Sequence, residues 1–183
     1  MKLFSAQGYL IANSRAEVKV AYAGFLLLSA IGLATMLILE AGRIGLSPEG
    51  IATHFRGGDY GDEMRFARTF GELIELTHFH AFIMGTVYLV LAHLFIATSI
   101  PLWLRWGAIV GTLAALVADL GVPWLVRYAS ADFAGVLLVA WVVEWLGFGV
   151  MIVVPLLHMW RGSPRTFDDQ DAEDEEQGLP PRR

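Results

Sequence analysis

Apolar residues in this chain come in long unbroken runs, without the short alternating pattern of a soluble sheet. Val20 to Leu39, "VAYAGFLLLSAIGLATMLIL", carries no charge, and about 20 such residues cross the hydrocarbon of a bilayer as a helix. A second run reaches from Leu76 to about Ile100 and stops before Pro101. A third begins after Arg105 and ends near Val126, interrupted by Asp119 and Pro123. The fourth extends from Phe133 to about Leu157, with Glu144 inside it. The connections 101–105 and 127–132 are short, which makes consecutive spans antiparallel neighbours. The pattern therefore predicts an all-α integral membrane protein: a four-helix up-down transmembrane bundle with a helical extracytoplasmic loop. No small-residue cleavage site follows the full-length first run, so it reads as a retained span and not as a signal peptide.

The long loop is 41–75. "LSPEG" supplies a helix start, with Ser47 as N-cap, Pro48 at the first helical position and Glu49 in the first turn. "RGGDYGD" reads as a glycine-rich turn. In "EMRFARTFGELIEL", Met64, Phe66, Phe70, Leu73 and Ile74 recur at helical spacing. That spacing predicts an amphipathic helix on the membrane interface, leading into the second span. Three segments result: 1–19, a cytoplasmic N-terminal segment; 20–162, the transmembrane domain; and 163–183, an acidic cytoplasmic tail expected to be disordered. Lys2, Arg15, Lys19, Arg105, Arg161 and Arg165 flank the side holding the termini, against Arg43, Arg56, Arg65, Arg68 and Arg127 on the other. The excess of basic residues narrowly favours cytoplasmic termini, in a bacterial inner membrane.

Composition sharpens this picture. Of 183 residues, 56% are hydrophobic and 17% charged, where soluble domains carry roughly a quarter charged. The net charge of −5 is gathered in "DDQDAEDEEQGLPPRR", and no basic stripe marks a nucleic-acid partner. The absence of cysteine removes disulfides, thiolate metal sites, iron–sulfur clusters and covalently attached c-type haem. No nucleophile constellation, phosphate loop or dinucleotide motif is present, so independent catalysis is not expected.

What remains is chemistry inside the spans. Glu75 and His78 are three apart and share a helix face. His78 and His80 are two apart, about 200° around a helix, and point in nearly opposite directions. His80 shares its face with Met84, and His93 returns to within about 60° of His78. Glu40, Asp119 and Glu144 bring carboxylates from the other spans. A lipid-facing charge at mid-span costs about 2.5–3.5 kcal/mol on insertion scales, so these groups are expected to face inward and meet in the outer half. Imidazole and thioether side chains in an apolar bundle suit haem b, with His78, His80, His93, Met84 and His158 as candidate ligands. An outer haem would pair His78 or His80 with Met84, with His54 of the loop, or with a residue of a second copy in a homodimer. The alternative is a copper or other divalent ion, with His78, His80, Glu75, Asp119 and Glu144 as candidate ligands. Glu75-x-x-His78 has the spacing used by di-iron bundles, although only one such motif is present. A third reading is a non-catalytic accessory subunit or transporter fragment whose polar cluster only organises helix packing, aided by small residues such as Gly32, Gly111 and Gly147, with a proton path through Glu144 and Asp119 left open.

"THFHAFIMG" resembles the His-x-His helix of haem-copper oxidases, in which two histidines on opposite faces ligate two haems. The likeness implies axial roles for His78 and His80. It covers about ten residues, and the other histidine helices and copper motif of that family are missing. More widely, "SPEGIA…ELIELTHFHAF…HLF" resembles a family of small four-span bacterial membrane proteins from which no activity carries over. The expectation is a membrane-embedded, b-type haem-binding electron-transfer protein, or a subunit of a respiratory or redox complex, with membrane lipid around it.

Overall fold

A computed structural model describes residues 11–161; the expected acidic tail lies outside them. A short 3-10 turn, Ile11–Asn13, precedes α1 (Ala16–Arg43). Next come α2 (Pro48–Arg56), β1 (Gly58–Tyr60), β2 (Glu63–Arg65), α3 (Phe70–Ile96), α4 (Leu102–Tyr128) and α5 (Phe133–Arg161). Among the described residues, α1, α3, α4 and α5 are the helices long and apolar enough to cross a membrane. At about 1.5 Å per residue each is near 40 Å long, enough to pass through roughly 30 Å of hydrocarbon. Trp103, Trp106 and Trp160 are exposed toward one end and Tyr128 toward the other, as interfacial aromatics are. The protein is a multi-pass, all-α membrane bundle.

The four helices do not contribute equally. α3, α4 and α5 pack on one another, with α4 against α5 the most extensive interface. α1 rests mainly on α5, and Leu26 is its one fully buried side chain. One core cluster fills the half nearer the termini and includes Leu26, Leu91, Phe95, Phe148, Met151 and Met159. A second fills the half nearer the long loop and includes Ile51, Phe55, Leu73, Val126, Leu137 and Trp141. These halves are called the terminal side and the loop side below. Gly147 of α5 faces Thr112 of α4, whose side chain occupies the space a Cβ would need.

Helix ends are set by capping and not by where the apolar runs begin. α3 starts at Phe70, six residues before Leu76, because Thr69 and Glu72 form a complete capping box. It ends at Ile96 and not at Ile100, and α4 begins right after Pro101. α2 matches its start signal: the Ser47 Oγ accepts from the Gly50 N–H at 3.0 Å.

The expected amphipathic helix before the second span is a different structure. Residues 58–65 form an antiparallel hairpin, with Gly58 opposite Arg65 and Tyr60 opposite Glu63. Gly57, Gly58 and Gly61 take positive φ (81°, 130° and 61°), which ends α2 and turns the hairpin. Helical spacing of apolar residues yields here to backbone that only glycine adopts readily. Met64 and Phe66, 71% and 83% exposed, lie on the hairpin and its exit, while Phe70, Leu73 and Ile74 of the same stripe belong to α3.

Arginines fasten this cap to the bundle. Arg65 donates to the Ile44 carbonyl at 3.0 Å and lies 4.2 Å over the Tyr60 ring. Arg56 donates to the Val126 carbonyl at 3.0 Å, and Arg127 Nε to the Arg68 carbonyl at 2.8 Å. Val126 sits in the last turn of α4, where carbonyls lack helical donors and a cation is favoured.

Gly147→Ala should destabilise the bundle by about 1–3 kcal/mol, the range for overpacking a tight interface. Reversible unfolding in mixed micelles measures it, and wild-type stability in that variant would show that Thr112 moves aside freely.

Candidate functional site

α1 diverges from the three-helix core toward the loop side, and a cavity of about 540 Å³ opens there beneath α2. Its apolar walls include Met36, Leu39, Leu76, Phe79, Leu120 and Pro123. Its polar lining is Glu40, Glu75, His80 and Asp119 within, and Arg43, His54, Arg68 and Glu72 toward the loop. The last four also border a more open vestibule of about 560 Å³ with Arg65.

Helix geometry sets the depth of the inner groups. His80 lies ten residues from the loop end of α3, Asp119 nine from that of α4, and Glu144 eleven from that of α5. At about 1.5 Å per residue these fall at similar depths, roughly 13–17 Å. Asp119 is held by Trp141, whose Nε1–H donates to Oδ1 at 2.7 Å. Pro123 has no N–H to offer the Asp119 carbonyl one turn earlier, so the helix lacks a backbone bond where it borders the cavity. The His80 ring places Nδ1 at 3.1 Å from the Leu76 carbonyl. A carbonyl only accepts, so Nδ1 carries a proton and Nε2 is the ring nitrogen left free of that bond. Glu144 is 6% exposed, within electrostatic reach of Asp119 and Glu40, and its Oε2 has no hydrogen-bond partner.

Of the residues singled out from sequence, Glu40, His54, Glu75, His80 and Asp119 line the cavity, and Glu144 lies within electrostatic reach of Asp119. The others stand elsewhere. His78 is on the exposed face of α3, its ring 5.1 Å from that of Phe82. His93 is exposed toward the terminal side, with Nδ1 at 3.3 Å from the Leu89 carbonyl. His158, near the same end of α5, bonds the Val154 carbonyl at 3.0 Å. Met84 is buried in the terminal-side core. The opposed directions of His78 and His80 are thus realised as outward and inward. Among the described residues, no three of the His, Asp and Glu side chains come together closely enough to hold a metal ion.

Arg43, Arg68 and Glu72 are site residues that sequence reasoning passed over, because each reads as an ordinary interfacial charge. Trp141 had a usable signal: an indole N–H in mid-span needs a buried acceptor, which narrows its partner to a carboxylate such as Asp119 or Glu144, and the structure gives it Asp119.

His54 connects the cap to the site. Its Nε2 accepts from Arg68 Nη2 at 3.2 Å, and Arg68 also pairs with Glu72 at 3.2 Å. Burial, followed by the nearby Arg68 and Arg65 charges, pushes the His54 imidazole from its ordinary 6.5 down to about 4. The unfolded chain therefore binds this proton more readily than the folded one. The resulting stabilisation is complete above about pH 6.5 and is lost as the pH falls toward 4. Hydrogen exchange of α2 should accelerate relative to α5 between pH 7 and 5, once corrected for intrinsic rates. His54→Gln should flatten that difference; an unchanged slope in the variant would remove His54 as its origin.

No curated protein and no solved structure matches this sequence. A family model described as a transmembrane helical domain matches residues 45–166, from the start of the loop-side cap to just beyond the last span. Covering most of the sequence, that match makes the chain a member of this transmembrane helical family.

Proposed function

We propose that this protein is a bacterial inner-membrane cofactor protein that holds a b-type haem in the loop-side cavity and passes electrons within a respiratory or redox complex. The observation that carries the reading is His80: a span-borne imidazole on the wall of a large cavity, with Nδ1 bonded to the Leu76 carbonyl and Nε2 not engaged by that bond. Neutral imidazole is the usual axial ligand of haem b, and a backbone-bonded second nitrogen fixes the tautomer that ligates.

Size favours haem over a bare ion. A cavity of about 540 Å³ falls in the roughly 300–1,000 Å³ range of cofactor and small-molecule sites, far more room than one cation needs. Arg43 and Arg68 at the mouth suit the two carboxylates of a haem, which prefer the polar edge of a membrane pocket. His54 is the candidate second ligand within this chain, provided that it releases Arg68. A copper or other divalent ion at His80, Asp119 and Glu75 is the alternative. It would require those side chains to close in, since none of the described groups already surrounds an ion. Assignment of the loop side to the exterior, with both termini cytoplasmic, follows the basic residues flanking the spans.

The absorption spectrum of the purified protein, air-oxidised and dithionite-reduced, tests this reading. A Soret band and sharp reduced α and β bands are expected, abolished in His80→Ala and retained in His78→Ala and His93→Ala. A colourless protein from haem-replete cells, or bands that survive His80→Ala, would overturn it. Metal analysis of the same sample would then decide on the ion.

A further inference from the structure

We infer that Glu144 is a proton-loading site in the middle of the bundle, reached from the loop side through the cavity by way of Glu40 and Asp119. Three facts converge on it. First, Glu144 is 6% exposed, and its buried Oε2 has no hydrogen-bond partner. A carboxylate sealed in apolar surroundings is costly unless a proton, a donor or a cation neutralises it. Second, no such partner comes from its neighbours. The groups electrostatically facing it are Asp119 from α4 and Glu40 from α1, while His80 of α3 interacts with Asp119. Among the described residues the only ion pair is Arg68–Glu72, at the mouth of the cavity. Asp119 itself is bonded to Trp141 through Oδ1 and leaves Glu144 without a donor.

Third, the ligand that fits is a proton and not a metal ion. No three of the described carboxylate and imidazole groups converge on a coordination centre. A proton needs none: it joins one oxygen and turns the acceptor pair into an O–H donor plus an acceptor. The route is also present. Glu40 and Asp119 both line the cavity, which shares its mouth residues with the arginine-bordered vestibule, and Glu144, at a depth similar to that of Asp119, lies within electrostatic reach of both. On the terminal side of Glu144, α5 continues into the apolar cluster of Phe148, Met151 and Ile152. Access is therefore one-sided. If a redox cofactor occupies the cavity, this proton would balance an electron arriving beside it, but the site does not depend on that cofactor.

Infrared difference spectroscopy on the full-length protein in oriented proteoliposomes reads this directly. Changing the pH on the loop side alone should alter a carboxylic-acid C=O band that shifts in D2O and disappears in Glu144→Gln. Because Gln keeps the size and shape of Glu, that variant is expected to fold; wild-type helix content by circular dichroism verifies it. Asp119→Asn should keep the band but slow its response to the loop-side pH. A band that never responds to pH, that survives Glu144→Gln, or that responds to the terminal-side pH instead would overturn the assignment. The measurement is independent of colour, so a colourless protein that still shows the band separates failure of the haem reading from failure of this one.

Discussion

Every backbone N–H and C=O in the hydrocarbon layer has to be satisfied within the protein, since no water is there to do it. Four long helices meet that demand along their lengths except where Pro123 and Pro155 withhold an N–H, and the remaining architecture deals with where the helices stop. At the loop end of α4, carbonyls without helical donors receive Arg56, and Arg127 of the same turn reaches the backbone of the cap. The cap of α2 and the hairpin is thus joined to the bundle by guanidinium-to-carbonyl bonds laid over a small apolar cluster. This also explains why the loop side is rich in arginine: several of those side chains are main-chain fasteners and not free surface charges.

The same scarcity of water makes the polar layer informative. α3, α4 and α5 pack tightly, helped by the Gly147–Thr112 approach, while α1 rests on α5 and leaves the loop-side half of the bundle partly open. The resulting space admits side chains that could not be tolerated against lipid. His80 and Asp119 border it and Glu144 adjoins it at about one depth, with Glu40 above. A cavity bounded below by apolar packing and above by arginines holds an imidazole and several carboxyl groups in one compartment. That combination motivates both the cofactor and the proton site.

The spans were legible because about 20 apolar residues in a row have few other physical interpretations. The α2 start was legible because Ser-Pro-Glu is a local device that works without tertiary help. The hairpin was legible only in part: "RGGDYGD" marked a glycine-rich turn, but Met64 and Phe66 continue the helical spacing of Phe70, Leu73 and Ile74 back into a segment that pairs as strands and then runs extended. Among the candidate ligands, the sequence could place His78 and His80 on opposite faces, but not say which face looked inward.

Sequence alone determined the number of membrane crossings, the up-down order and the set of ionisable groups inside them, because length, hydropathy and helical periodicity act locally. Tertiary structure decided which of those groups meet. The rotation of each helix about its axis depends on packing against its neighbours. That rotation turned His80, Asp119 and Glu144 toward one another and left His78 and His93 on the outer surface.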